Sequence, residues 1–193
     1  MSTRVATTLI AVILTALVGA AAFGVEQGVI DSVSGTVRIH QADGSWELAE
    51  VGDLVQDGMA LSTGFDASAV LALGASRITV DPIAYVEFSE LAQDETEDRA
   101  TMDLSFGRVR SRVRDTEGRS TDFEVRSPVS TATVKGTDFF YDGSRLEVLE
   151  GDVALRNSIG QSHSVRAGQR SRAYGYEGIE SVETYFAEVV ELR

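Results

Sequence analysis

The chain has no cysteine, so no disulfide can staple its fold, no lipid can be attached through a thiol, and no thiolate is available for catalysis or metal binding. Stability has to come from packing. Proline is nearly absent, with 2 residues against 18 glycines, and the sequence is rich in Val, Thr and Ser in short apolar runs. That balance disfavours long helices and predicts strands joined by tight glycine turns. Histidine is also scarce, limited to His40 and His163. Neither has a nearby motif supplying a nucleophile or a metal partner. A zinc site built from the two histidines and a carboxylate is the only metal reading they offer. The chain has no G-x-S-x-G and no glycine loop ending in Lys-Ser or Lys-Thr, so it is not expected to be an enzyme or to carry a cofactor. Cations are outnumbered, 17 Lys and Arg against 30 Asp and Glu, giving a net charge of −13. Such a surface repels nucleic acid and anionic lipid and keeps an exported protein soluble.

What is present begins with an apolar run. In "MSTRVATTLIAVILTALVGAAAFG", Arg4 precedes an uncharged stretch, and Ala20 and Ala22 stand in A-x-A spacing. We read residues 1–22 as a secretory signal peptide. The rival reading is an uncleaved membrane anchor, because Val5 to Phe23 is 19 uncharged residues, close to the roughly 20 that span a bilayer. Both place the remainder outside the cytoplasm, in the periplasm or anchored to the inner membrane.

From Gly28 the pattern alternates. "GTVRIH" sets Val37 and Ile39 on one face and Thr36, Arg38 and His40 on the other, before a polar turn leads to Trp46 and Leu48. "SAVLALGASRITV" predicts a hairpin around Gly74-Ala75-Ser76. The acidic cluster Asp94, Glu95, Glu97 and Asp98 interrupts the alternation and predicts an exposed loop. Calcium is the functional alternative there, although regular ligand spacing is missing. In "LSFGRVRSRVRDTEGRSTDFEVRSP", Arg108, Arg110, Arg112 and Arg114 share one face. They could grip an anionic envelope polymer. In so acidic a chain the favoured expectation is a solvated face paired across a hairpin with Asp122 and Glu124.

One hairpin design recurs. "GTVRI" at Gly35 and "GDVAL" at Gly151 are each followed by a second glycine, Gly52 and Gly168, at the same spacing of 17 residues, and "GRVRS" at Gly107 starts a weaker copy. Recurrence predicts stacked, similar β-coils. The fold expectation is all-β, two β-solenoid-like or twisted antiparallel sheet halves over residues 28–176. An amphipathic helix is expected over 177–193, where Ile179, Val182, Phe186, Val189 and Val190 recur at helical intervals.

The ordered set "SGTVRI", "GD-L", "LxxGRV", "FEVRSPVSTATVKGTDF", "VLEGDVAL" and "VRAGQ", from about Val33 to Ala173, resembles the FecR family of bacterial envelope domains. The resemblance implies an extracytoplasmic β domain. Its best-known members carry a cytoplasmic inhibitory segment for a sigma factor ahead of a membrane span. Only a handful of residues precede the apolar run here, so the expectation is a stand-alone domain without the anti-sigma segment. Lys135 stands where the resemblance leads one to expect arginine.

The expected role is a non-enzymatic recognition or scaffolding module that binds an envelope protein or glycan, with a membrane-tethered sensor or accessory subunit as the alternative. Candidate contact residues are Trp46, Arg108, Arg110, Arg112, Arg114, Tyr174 and Tyr176; Tyr85 and Tyr141 are further aromatics that could supply contacts. Lys135, Gly136, Thr137 and Gly151 are expected to be architectural. Strict alternation would put Val134 and Phe139 on opposite faces, so Gly136 is predicted to turn a corner, at a place where a side chain would clash.

Overall fold

The computed structural model describes residues 27–93, 96–115, 118–179 and 183–184. Residues 1–22, read as signal peptide or anchor, lie outside them. The described residues form eighteen strands in two open sheets. Sheet I contains β1 (Gly28–Ser34), β4 (Leu54–Val55), β6 (Ser68–Leu73), β7 (Ser76–Val80), β10 (Val109–Arg112), β13 (Asp138–Tyr141), β14 (Arg145–Glu150), β17 (Gln169–Arg172) and β18 (Glu183–Thr184). Sheet II contains β2 (Val37–His40), β3 (Trp46–Leu48), β5 (Ala60–Thr63), β8 (Tyr85–Gln93), β9 (Glu97–Phe106), β11 (Ser120–Arg126), β12 (Ser130–Val134), β15 (Asp152–Asn157) and β16 (Ser162–Arg166). Their orders are β18-β17-β14-β13-β10-β7-β6-β1-β4 and β16-β15-β12-β11-β9-β8-β5-β2-β3.

The two sheets are not successive segments of the chain. Strands cross repeatedly from one sheet to the other, so both sheets are assembled from the whole length. The period-two alternation drives this arrangement. Each strand has one apolar face, and two such sheets bury theirs against each other. Ile30, Leu71, Ile78, Val109 and Phe139 from sheet I meet Val37, Leu61, Phe88, Met102 and Phe123 from sheet II in a single core. Phe123 and Phe139 touch edge to face across the layers, 6.4 Å between centroids. Burying a side chain of this size contributes about 1.5–3 kcal/mol, which is how a chain without disulfides holds together.

Every strand pair is antiparallel except β9 with β11. A parallel pair needs a crossover, and β10, lying in sheet I, supplies it. The arginines of β10 and the acids of β11 are therefore in different sheets. The expected pairing with Asp122 and Glu124 does not form; Glu124 instead accepts from Arg126.

The recurrent hairpin has a structural counterpart. β1-β2-β3-β4 and β14-β15-β16-β17 follow the same path, one strand in sheet I, a hairpin in sheet II, then a return strand antiparallel to the first. In each unit the second glycine closes the path with an equivalent bond, Gly52 N–H to Ile30 C=O and Gly168 N–H to Val148 C=O, both 2.8 Å. The Gly107 copy differs, since β10 enters sheet I where β2 and β15 enter sheet II.

The leading glycines have a shared task. Gly35 (φ 68°) lies against the β5–β6 connection, where a Cβ would stand 2.6 Å from the Asp66 carbonyl. Gly151 (φ 84°) lies against the β12–β13 connection, where a Cβ would stand 2.7 Å from Thr137 Cγ2 and 3.0 Å from the Gly136 carbonyl. Both connections carry the chain from sheet II to sheet I. A sheet-switching corner thus packs on a glycine of the neighbouring unit, which has neither Cβ nor a penalty for positive φ.

Lys135-Gly136-Thr137 is such a corner, and it explains how Val134 and Phe139 are both buried. Gly136 has φ 64°, but a Cβ there would meet open space. The clash expected at Gly136 occurs at Gly151 instead.

Two further expectations change. Asp98 is not in an exposed loop. It is a buried residue of β9, 3.0 Å from Arg119, and Glu97 pairs with Arg99 in the same strand; residues 94–95 lie outside the described residues. In the stretch expected to be helical, Ile179 bridges to Ala173 and Glu183–Thr184 pair with β17, so these positions are extended. The rest of the expected helix lies outside the described residues.

Candidate functional site

The outer faces of the two sheets hold most of the candidate residues, and they differ in chemistry. On sheet I, alternation along β10 buries Val109 and Ser111 and turns Arg110 and Arg112 outward. Asp138 of the adjacent β13 receives both. Arg110 makes a two-pronged contact, 3.0 and 2.9 Å, and Arg112 Nε donates at 3.1 Å. Asp138 is only 5% exposed. Burial pushes its carboxyl upward, but the bonds from Arg110 and Arg112 outweigh that and hold it below its ordinary value of 3.8. Reciprocally, the Asp138 bond raises Arg110. Arg108 pairs with Asp81, and Arg114 with Glu150 at 2.6 Å. The guanidinium carbons of Arg108 and Arg110 lie 5.2 and 5.1 Å from the centre of the Phe140 ring, within cation–π range.

Sheet II carries an aromatic row instead. His40 and Trp46 face each other across β2 and β3 with ring centres 4.7 Å apart. Trp46 lies 6.2 Å from Tyr85 on β8, and Tyr85 lies 6.2 Å from Phe106 on β9. Arg38 sits over Trp46 at 5.7 Å. Trp46 and Phe106 are 40% and 53% exposed, so the row is preformed and open to solvent. Such contacts are worth about 0.5–1.5 kcal/mol per pair beyond the area they bury.

The remaining candidates lie elsewhere. Tyr174 and Tyr176 are both exposed beyond β17, and Arg172 leans over the Tyr174 ring at 5.8 Å. Tyr141 is fully buried and cannot meet a partner. Its hydroxyl stands 2.8 Å from Ser130 Oγ and 3.0 Å from the Gly143 carbonyl, to which Ser130 Oγ also donates at 2.9 Å. Ser127 Oγ accepts the Ser130 backbone N–H at 3.0 Å. The serines of "SPVST" and the tyrosine of "FFYDG" are thereby one lock on the β13–β14 turn, and burial raises the Tyr141 pKa. His163 Nε2 lies 2.8 Å from Ser171 Oγ, joining β16 to β17 across the sheets, and burial lowers its pKa. Among the described residues no three His, Cys, Asp or Glu side chains form a metal-binding group.

Sequence reasoning named Trp46 and the β10 arginines as candidates but did not name His40 and Phe106 as neighbours in the tryptophan's row. It also missed Phe140 as the ring between two arginines. The signal was present as alternation; the cross-strand register that joins these residues was not.

None of the curated proteins searched matches the chain. Two crystal structures of a protein assigned as an anti-sigma factor from Parabacteroides distasonis ATCC 8503 share the fold. They align with TM-scores of 0.54 and 0.52 at 13% and 14% identity, covering 65% of this chain in each case. The chain spans 59% of the length of each of those structures. The family described as FecR protein matches residues 59–154, from the start of β5 through the corner and into β15. FecR-family domains are regulatory modules, typically the extracytoplasmic parts of membrane signalling proteins. The resemblance carried by "SPVSTATVKGTDF" and "VLEGDVAL" is thus a family membership: the chain carries a FecR domain.

Proposed function

We propose that this protein is a non-enzymatic recognition or scaffolding module of the bacterial envelope, exported by residues 1–22 and binding a protein or glycan partner through an outer sheet face. In this reading the alternating hairpins are solenoid-like coils, and the open sheets provide flat surfaces instead of an enclosed pocket. The observation that carries the reading is the row His40, Trp46, Tyr85 and Phe106. Large aromatics left in solvent across neighbouring strands form a contact surface for sugar rings or peptide.

A photo-crosslinking residue placed at position 46 or 106 of the full chain, in its native envelope, tests this. A discrete adduct with one protein or glycan is expected from these positions and not from position 164, an exposed site on β16 of the same sheet. No adduct from either position overturns the reading. The alternative, a tethered sensor, is favoured by the apolar length of Val5 to Phe23. N-terminal sequencing decides it: a start near Phe23 gives a free periplasmic module, and an intact N-terminus in the membrane fraction gives the tethered one.

A further inference from the structure

The opposite face, on sheet I, sets arginine against arginine at two places, against a rule of strand pairing. Residues directly across an antiparallel pair have Cβ atoms about 5 Å apart, and like charges there are destabilising. Arg77 of β7 faces Arg112 of β10, and Arg145 of β14 faces Arg172 of β17. Arg77 and Arg112 are relieved by Asp31 and Asp138. Among the described residues Arg145 and Arg172 have no such relief. Neither guanidinium forms an ion pair among the described residues, and Arg172 has only the Tyr174 ring. With 30 acidic residues in the chain, two unneutralised arginines set side by side are not explained by solubility. A local rule broken without compensation among the described residues points to a ligand.

We propose that this face docks a linear carboxylated glycan. The outward arginines run from β7 through β10 and β14 to β17, which in sheet order spans four strand spacings, about 19 Å. That is the reach of several sugar units and too wide for a single small anion. Between Arg108, Phe140, Asp142, Arg145 and Glu147 lies a shallow cleft of about 80 Å³, well below the roughly 300 Å³ at which small-molecule pockets begin. A polymer is therefore held along the surface. The guanidinium fork matches a carboxylate in two bonds, as Arg110 already does with Asp138. Protein partners are held mainly by apolar or aromatic anchors sunk in pockets, whereas here the central aromatic, Phe140, is already flanked by Arg108 and Arg110. Charge complementarity along a flat face thus favours the glycan over an acidic peptide.

The test is binding of the full chain to polygalacturonate, beside neutral dextran, poly-glutamate and vesicles containing phosphatidylglycerol. Saturable, salt-sensitive binding to polygalacturonate and none to dextran is expected. Arg145→Glu with Arg172→Glu should weaken it by roughly tenfold or more, while Arg156→Glu with Arg166→Glu, the same charge change on sheet II, should not. Equal weakening by both pairs, no polygalacturonate binding, or tighter binding to poly-glutamate or vesicles overturns the proposal. Arg145→Gln supplies a check independent of binding. Its melting temperature should equal or exceed that of the parent, because a like-charge contact is removed, and a clear drop would show that Arg145 serves folding instead. The face is opposite the aromatic row, so failure here leaves the crosslinking outcome from positions 46 and 106 unaffected.

Discussion

The two ends of the molecule, β1–β4 and β14–β17, share one backbone path and carry different surfaces. Both begin a sheet II hairpin with a positive-φ glycine, Gly35 or Gly151, pressed on a sheet-switching corner. Both are closed by equivalent bonds from Gly52 and Gly168. Outside, the first end places a half-buried His40 beside an exposed Trp46, and the second sets Arg145 against Arg172. The repeat is written in residues without side chains. Where backbone touches backbone, only glycine fits; where a strand faces water, the same path tolerates an aromatic or an arginine.

Substitutions at the glycines should have the largest effect on this shared path. Gly35→Ala should cost about 3 kcal/mol, because positive φ is combined with contact against a carbonyl that cannot move away. Gly151→Ala should cost about 2 kcal/mol, since its nearest neighbour is a methyl group that can give. Gly136→Ala, with open space ahead of its Cβ, should cost about 1 kcal/mol from φ alone. Urea unfolding of the three variants checks the order. Equal loss at Gly136 and Gly151 would mean that close packing on the corner is not what the glycine provides.

The locks beside the two corners come next. At the first, Thr63 Oγ1 donates to the Asp81 carbonyl at 2.6 Å and accepts the Ala84 N–H at 2.9 Å. Beyond the second, the Tyr141 and Ser130 hydroxyls converge on Gly143. Thr63→Val and Tyr141→Phe should each cost about 1–2 kcal/mol, by leaving buried polar partners unmatched. A neutral result for one of them in the same unfolding assay would show that its corner is held by packing alone.

The smallest effect is confined to acid. Asp138 has a depressed folded pKa, so its contribution is fully present above its unfolded value, near 3.8, and is lost as pH falls through the lower folded value. Thermal melts of the parent and Asp138→Asn should therefore differ at neutral pH and converge below pH 3.8. A difference that persists unchanged through that range would show that the carboxylate charge is not what holds Arg110 and Arg112. The exposed Arg77–Asp31 pair, nearer the first end, should contribute little at any pH.

How much of this was legible depends on the range of the interaction. Alternation in "GTVRIH" or "SAVLAL" reports burial directly, because side chains on a strand take opposite faces in turn. The corner at Lys135-Gly136-Thr137 was legible as a parity conflict between Val134 and Phe139. Its supporting partner, Gly151, was not legible as such, because the two meet only after the chain has crossed sheets and returned. Arg110 and Arg112 were visible as a charged face, yet their acceptor came from β13 and not from β11. Nothing local distinguishes a hairpin that stays in one sheet from a strand that leaves it. Asp98 looked like a loop acid for the same reason: only the parallel pairing of β9 with β11 places the start of β11 beside it and buries it next to Arg119.

By itself, the sequence determined the strand content, the repeated glycine-led hairpin and the family, since each rests on residue periodicity or on local conformational freedom. The tertiary structure alone decided which strands share a sheet. Through that, it decided which side chains meet: Trp46 with Tyr85 and Phe106 on one face, and Arg145 with Arg172 on the other. The physical reason is that strand register is set by burying both apolar faces at once. That is a condition on the whole chain, which no single stretch of it can express.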